Sequence, residues 1–250
     1  MTVVSEQKTP GSSPNAVETL TVKVGDDNIF VRKAGTGPPV LLLHGGACDS
    51  SDWVDTMVPL SGSYTFYAPD LLGYGLSDRN REGYYLSDFA DSTRSLVHML
   101  GLKSPLTIVG HSLGGRVALE LAFGQPDSVR KLVLIDTTGF SRLARWGAFL
   151  GTMAYWVRKV MGRPQPYPRF MMENGAMPDW ICLDRLPELK MPTLIVWNQR
   201  DPYYTVKGAI RAQRILPQAR LEIMPGYGHA PHRTARDRFN NLLAAFLAEP

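Results

Sequence analysis

Ser112 stands in the run LTIVGHSLGG, residues 106–115, with Gly110 and Gly114 two positions away on either side. A serine hydroxyl attacks a carbonyl only when a base takes its proton and N–H groups await the charge that develops on oxygen. Of the five histidines, His229 in MPGYGHAPH is the candidate base, because two glycines let its loop turn inward; His232 is the near alternative. His98 falls in a helical run, His111 is locked beside the serine, and His44 ends an apolar run, where a structural role suits an imidazole better. The carboxylate that orients the base is expected at Asp201, in NQRDPYY, which gives the order Ser, Asp, His; Asp136 is the alternative. The oxyanion donors are expected to be the N–H groups of Leu113, directly after the serine, and of Gly46, in the loop after LLLHGG.

These groups meet only if the elements bring them to one edge. Short apolar runs recur as PVLLLHGG (from Pro39), YTFYAPD (from Tyr64), LTIVGHS (from Leu106), KLVLIDTTG (from Lys131), PTLIVW (from Pro192) and ARLEIM (from Ala219). Unbroken rather than alternating apolarity suits strands buried on both faces of a parallel sheet. SDFADSTRSLVHML, LGGRVALELAFG and DRFNNLLAAFLAE carry helical spacing between and after them. A hairpin is expected over 19–33, turning at GDDN (25–28). The pattern predicts an α/β fold, a mostly parallel central sheet with helices on both faces. Ligands of such sheets sit beyond the carboxyl ends of the strands, where a serine between strand and helix takes a strained conformation with room only for glycine nearby.

The chain has 250 residues, 44% hydrophobic and 20% charged, which fits one globular domain over 19–250 after a flexible tail, 1–18. No secretory leader and no apolar run of membrane-spanning length is legible, so a cytoplasmic location is the expectation. Cys48 and Cys182 match no metal spacing, and free thiols are expected. The net charge of +4 is local: Arg142, Arg145, Arg158, Lys159, Arg163 and Arg169 fall between 141 and 170 without an acidic residue, interleaved with apolar ones. That pattern argues against nucleic acid as a partner.

HGG at 44–46, DLLGYGLSD at 70–78, GHSLGG at 110–115, the Asp201 loop and GHAPH at 228–232 together resemble the α/β-hydrolase fold superfamily, in its esterase- and lipase-like members. The resemblance spans about residues 20–250. It implies nucleophile Ser112, acid Asp201, base His229 and oxyanion donors Gly46 and Leu113, with no cofactor and no metal. Asp70 would be architectural. Two departures bear on loop shape: Asn198, Gln199 and Arg200 precede Asp201 where relatives often carry glycine, and Arg233 and Thr234 follow the histidine where they often carry glutamate.

The segment from about 140 to 186 breaks the strand–helix rhythm, and the resemblance implies a short helical cap there. LARWGAFLGTMAYWV reads as a helix apolar nearly all round, suited to cover an apolar pocket or enter an interface. Met153, Trp156, Met161, Met171 and Met172 would offer an adaptable lining. Packing on the sheet as core is the plainer alternative, and weak contact with a membrane surface through Arg158, Lys159 and Arg163 is a third. The expected function is a serine hydrolase that cleaves carboxylic esters of apolar small molecules through an acyl-enzyme. The alternatives are a carbon–carbon bond hydrolase of ring-cleavage products and a non-catalytic small-molecule receptor on the same fold.

Overall fold

A computed structural model of the chain describes residues 3–7, 16–80, 84–162 and 180–250. Its strands, in chain order, are β1 (Val3–Gln7), β2 (Glu18–Val24), β3 (Asp27–Ala34), β4 (Pro39–Leu43), β5 (Thr65–Pro69), β6 (Leu106–His111), β7 (Val129–Ile135), β8 (Thr193–Arg200) and β9 (Arg220–Tyr227). They form one sheet in the order β1-β2-β3-β5-β4-β6-β7-β8-β9. The pairings from β1 to β5 are antiparallel, and those from β5 through β4 to β9 are parallel. The hairpin over 19–33 is present as β2 and β3, with Gly25 at φ +59 in the turn.

The helices are α1 (Val54–Leu60), α2 (Leu86–Met99), α3 (Leu113–Gly124), α4 (Arg145–Val160), α5 (Val206–Ile215), α6 (Pro231–Thr234) and α7 (Arg236–Ala248). Alternate residues of the central strands feed two separate cores. Leu41, Ile108, Leu134 and Ile195 join a cluster with α2, α3 and α5, while Leu42, Val109, Val133 and Val196 join one with Met57 and α7. This two-sided burial is the physical reason the strands read as unbroken apolar runs.

The parallel strands deliver their carboxyl ends to one edge. His44 follows β4, Asp70 follows β5, Ser112 follows β6, Asp136 follows β7, Asp201 follows β8 and His229 follows β9. A cleft of about 590 Å³ opens at the opposite end, where Ser104 and Leu106 enter β6 and α3 runs out at Gln125; it is remote from Ser112.

Three expectations need revision. Within the stretch expected as a loose tail, Val3–Gln7 pair antiparallel with β2 as an edge strand. Five mostly polar residues show no helical or core pattern, and edge pairing asks for none, because the backbone makes the bonds. Met153, Trp156 and Met161 do not line a pocket, since all three are exposed. Met171, Met172, Arg163 and Arg169 lie outside the described residues. Nor does the helix sit on the sheet as core: of α4, Gly147 alone is fully buried. Among the described residues no helix is long and apolar enough to cross a membrane. Cys48 and Cys182 are both free thiols.

Candidate active site

Ser112 occupies a sharp turn from β6 into α3 with φ 50 and ψ −111, a backbone region costly for a residue with a Cβ. Its N–H donates to Ile135 O at 2.9 Å, and its carbonyl accepts from Thr138 and Arg116, each at 3.2 Å, so neighbouring backbone holds the strain in place. A Cβ at Gly110 would come within 2.5 Å of Gly114 O, and one at Gly114 within 2.2 Å of Leu43 O. The two glycines flanking the serine therefore let β6, α3 and β4 close around it.

His229 stands between the serine and a carboxylate. Its Nε2 lies 2.8 Å from Ser112 Oγ and its Nδ1 lies 2.8 Å from Asp201 Oδ2. A carboxylate accepts, so Nδ1 carries the hydrogen and Nε2 faces the serine hydroxyl with a lone pair. The other oxygen, Asp201 Oδ1, accepts the N–H of Tyr203 at 2.7 Å and of Tyr204 at 3.2 Å. The sequence reading missed this clamp, although an aspartate that caps the N–H groups two and three residues on is a recognisable turn pattern.

Asp136 is fully buried beside the same imidazole, with Oδ2 4.0 Å from His229 Nδ1. Asn198 holds it, donating its N–H to Oδ1 at 2.7 Å and its side-chain amide to Oδ2 at 3.3 Å. The departure at 198–200 is thus an anchor for a second carboxylate. Burial pushes the Asp136 carboxyl up to about 7, with the charge of Asp201 adding to the rise and His229 opposing it.

Three other histidines, His44, His111 and His232, are supports, while His98 lies in the last turn of α2 away from the site. His44 donates from Nδ1 to Gly45 O at 2.8 Å and accepts at Nε2 the N–H of Leu71 at 2.9 Å, tying the Gly46 loop to the turn after β5. Asp70 in that turn accepts the N–H groups of Ser50 and Leu76, each at 2.7 Å, an architectural role. His111 donates from Nε2 to the backbone carbonyl of His229, and burial holds it well below the usual imidazole range and so neutral. This bond links the serine turn directly to the loop carrying the base. His232 lies behind them, fully buried and stacked on Trp53 with centroids 4.6 Å apart. Leu113 opens α3, so its N–H is among those that the first helical turn leaves without an intrahelical partner. Gly46 sits in the turn closed by Cys48 N–H to Gly45 O at 3.3 Å.

Among the described residues, two groups of side chains could converge on a cation: Asp136, Asp201 and His229, and behind them Asp52, His111 and His232. The first already exchanges hydrogen bonds within itself. In the second, Arg233 pairs with Asp52 at 3.2 Å and so meets the carboxylate's demand for positive charge.

Burial, with smaller contributions from Arg233 and His229, pushes His232 down to about 3. In the unfolded chain an imidazole takes its proton near 6.5. Stability conferred above that pH is therefore lost progressively as pH falls from about 6.5 towards 3. His232→Phe keeps the stack on Trp53 and removes the titration. Chemical denaturation should show wild type losing ~1.4 kcal/mol more per pH unit than the variant below about pH 6.5. Equal acid sensitivity in the two proteins would contradict the assignment.

The model of the alpha/beta hydrolase family matches residues 40–242. The chain is 38% identical to 2-(acetamidomethylene)succinate hydrolase of Mesorhizobium japonicum, covering 83% of this chain and 87% of that protein. It is 27% identical to Lipase 1 of Psychrobacter immobilis, over 92% of this chain and 83% of that one. Among solved structures, a carboxylesterase from Bacillus subtilis superposes with a TM-score of 0.79 at 20% identity, covering 93% of this chain and 92% of the other.

Proposed function

Since the chain belongs to the alpha/beta hydrolase family and is a hydrolase, we propose that it is a serine hydrolase of carboxylic esters that works through an acyl-enzyme. The observation carrying this reading is His229, held at 2.8 Å from both Ser112 Oγ and Asp201 Oδ2. Ser112 Oγ attacks the ester carbonyl carbon as its proton passes to His229 Nε2. The N–H groups of Gly46 and Leu113 hold the resulting oxyanion. The intermediate collapses, the carbon–oxygen bond to the alcohol breaks, and His229 returns the proton to the leaving oxygen. A water then repeats the sequence on the acyl-enzyme and frees the acid. Asp201 keeps the hydrogen on Nδ1 and stabilises the imidazolium as it forms.

The test is a series of p-nitrophenyl esters of increasing acyl length. Each methylene buried is worth up to ~0.8 kcal/mol, about fourfold in kcat/KM. We expect kcat/KM to rise from acetate over the first few methylenes and then fall, because α4 leaves its large apolar side chains exposed and a long acyl chain would protrude into water. No hydrolysis of any member, with cleavage of a vinylogous diketone instead, would replace this reading with the carbon–carbon hydrolase. Tight binding of a small ligand without turnover of either would favour the receptor.

One observation favours a second reading within the same chemistry. Arg158 Nη2 lies 3.3 Å from the carbonyl of Ala47, one residue past Gly46. A cation there suits an acyl group ending in a carboxylate, and the relative at 38% identity bears the name of a hydrolase of a succinate derivative. If p-nitrophenyl hemisuccinate outran the neutral valerate ester, and Arg158→Met reversed the order, the acidic acyl group would be the preferred one.

A further inference from the structure

α4 carries its apolar stripe on the outside. Trp146, Phe149, Leu150, Met153, Val157 and Val160 recur every three or four residues and so share one helix face. All six are exposed, Trp146 by 70% and Val160 by 85%. The side that meets the protein is small or polar instead. A Cβ at Gly147 would come within 2.9 Å of Tyr203 Cα, Ala144 N–H donates to Tyr203 O at 2.8 Å, and Arg158 reaches Ala47. A helix on a protein in water normally turns these faces the other way. Leaving the stripe in water forfeits its hydrophobic stabilisation, so the stripe calls for an apolar medium outside the chain.

The charges around the stripe identify that medium. Arg142, Arg145 and Lys159 are exposed at the two ends of the helix, and residues 142–162 include no Asp or Glu. Lys159 Nζ sits 5.1 Å from the centroid of the Trp156 ring and 5.8 Å from that of Tyr155, which puts its charge at the border of the apolar face. Tryptophan and snorkelling lysine at the margin of an apolar stripe are the pattern of a helix lying in the plane of a bilayer surface. A second copy of the chain would meet this face with the same basic residues and bring no acidic ones on its own α4, whereas anionic headgroups complement them.

We infer that the outer face of α4 docks on an anionic lipid surface. The helix spans from the loop after Asp201 to the loop after Gly46, so a bilayer against it lies over the entrance to Ser112 and presents ester substrates from the lipid side. The docking itself is independent of the catalytic reading.

Sedimentation of the full chain with vesicles tests it, using phosphatidylcholine alone and an equal mixture with phosphatidylglycerol. Wild type and Ser112→Ala should both bind the mixed vesicles, at least ~10-fold more tightly than the neutral ones, and bind more weakly as salt rises. Phe149→Glu with Val157→Glu should abolish sedimentation while leaving kcat/KM for soluble p-nitrophenyl acetate within about twofold. Arg145→Glu with Lys159→Glu should remove the preference for the anionic mixture. No binding by wild type to either vesicle would overturn the inference. So would a dimer in solution that Phe149→Glu turns into monomers, which would assign the face to a second copy. Vesicle binding without any ester hydrolysis would support the docking and count only against the proposed chemistry.

Discussion

Ser112→Ala is expected to lower kcat for p-nitrophenyl esters by at least ~10³-fold without loss of fold. The size follows from what is removed: without Oγ no acyl-enzyme forms, and only binding and the two N–H groups remain to act on a water. That loss corresponds to at least ~4 kcal/mol of transition-state stabilisation. The fold should survive because the turn is held by backbone bonds from Ser112 N–H and to Ser112 O, none of which uses the hydroxyl. Oγ is engaged instead with His229 Nε2. Circular dichroism and a thermal melt check folding, and initial rates check the loss. Wild-type rates in a folded variant would remove the serine from the mechanism.

Asp201→Asn should cost ~10⁴-fold in kcat, the second large effect. An amide at 201 would offer an N–H to Nδ1, which would favour the tautomer with its hydrogen on Nε2 and leave the serine without a base. Asp136→Asn should cost far less in rate and should act on stability with a defined pH dependence. Its carboxyl is raised to about 7 by burial, so the folded chain binds that proton more tightly than the unfolded one, which releases it near 3.9. The native state is thus favoured at low pH, and stability falls as pH rises from about 4 through 7. An amide at this position does not ionise and would be free of the penalty. The variant should therefore match wild type near pH 4 and exceed it above about pH 7 by a few kcal/mol at most. Should Asp136→Asn abolish activity while Asp201→Asn only weakened it, both being folded, Asp136 would take the orienting role.

Much of this site was legible because it is built from local sequence events. A strand ending in a Gly-flanked serine, an Asp just past an apolar run, and a histidine after two glycines each announce themselves within about ten residues. The sheet was legible for a related reason, since two-faced burial of β4, β6, β7 and β8 leaves their runs mostly apolar, with few polar residues such as Thr107 and Lys131 among them. What could not be read depends on which strands become neighbours. Asp136 and Asn198 meet because β7 pairs with β8, and His111 meets the His229 loop across 118 positions of chain. Neither separation leaves a local trace.

The helix α4 illustrates a different blindness. LARWGAFLGTMAYWV scores as apolar all round because Gly147, Ala148 and Gly151 count with the hydrophobes. At Gly147 the lack of bulk is what matters, since it lets the helix approach Tyr203 closely. The large residues are then left outside, and an expected pocket lining becomes an exposed surface. Periodicity reports that a stripe exists but not which side of it the protein occupies.

The central claim is a covalent bond to one oxygen, and mass spectrometry of the protein after incubation with a fluorophosphonate tests it most directly. One adduct is predicted, on the peptide carrying Ser112, with labelling lost in Ser112→Ala and strongly slowed in Asp201→Asn. An unlabelled Ser112 in a protein that hydrolyses esters, or an adduct on another residue with the same kinetics, would contradict it.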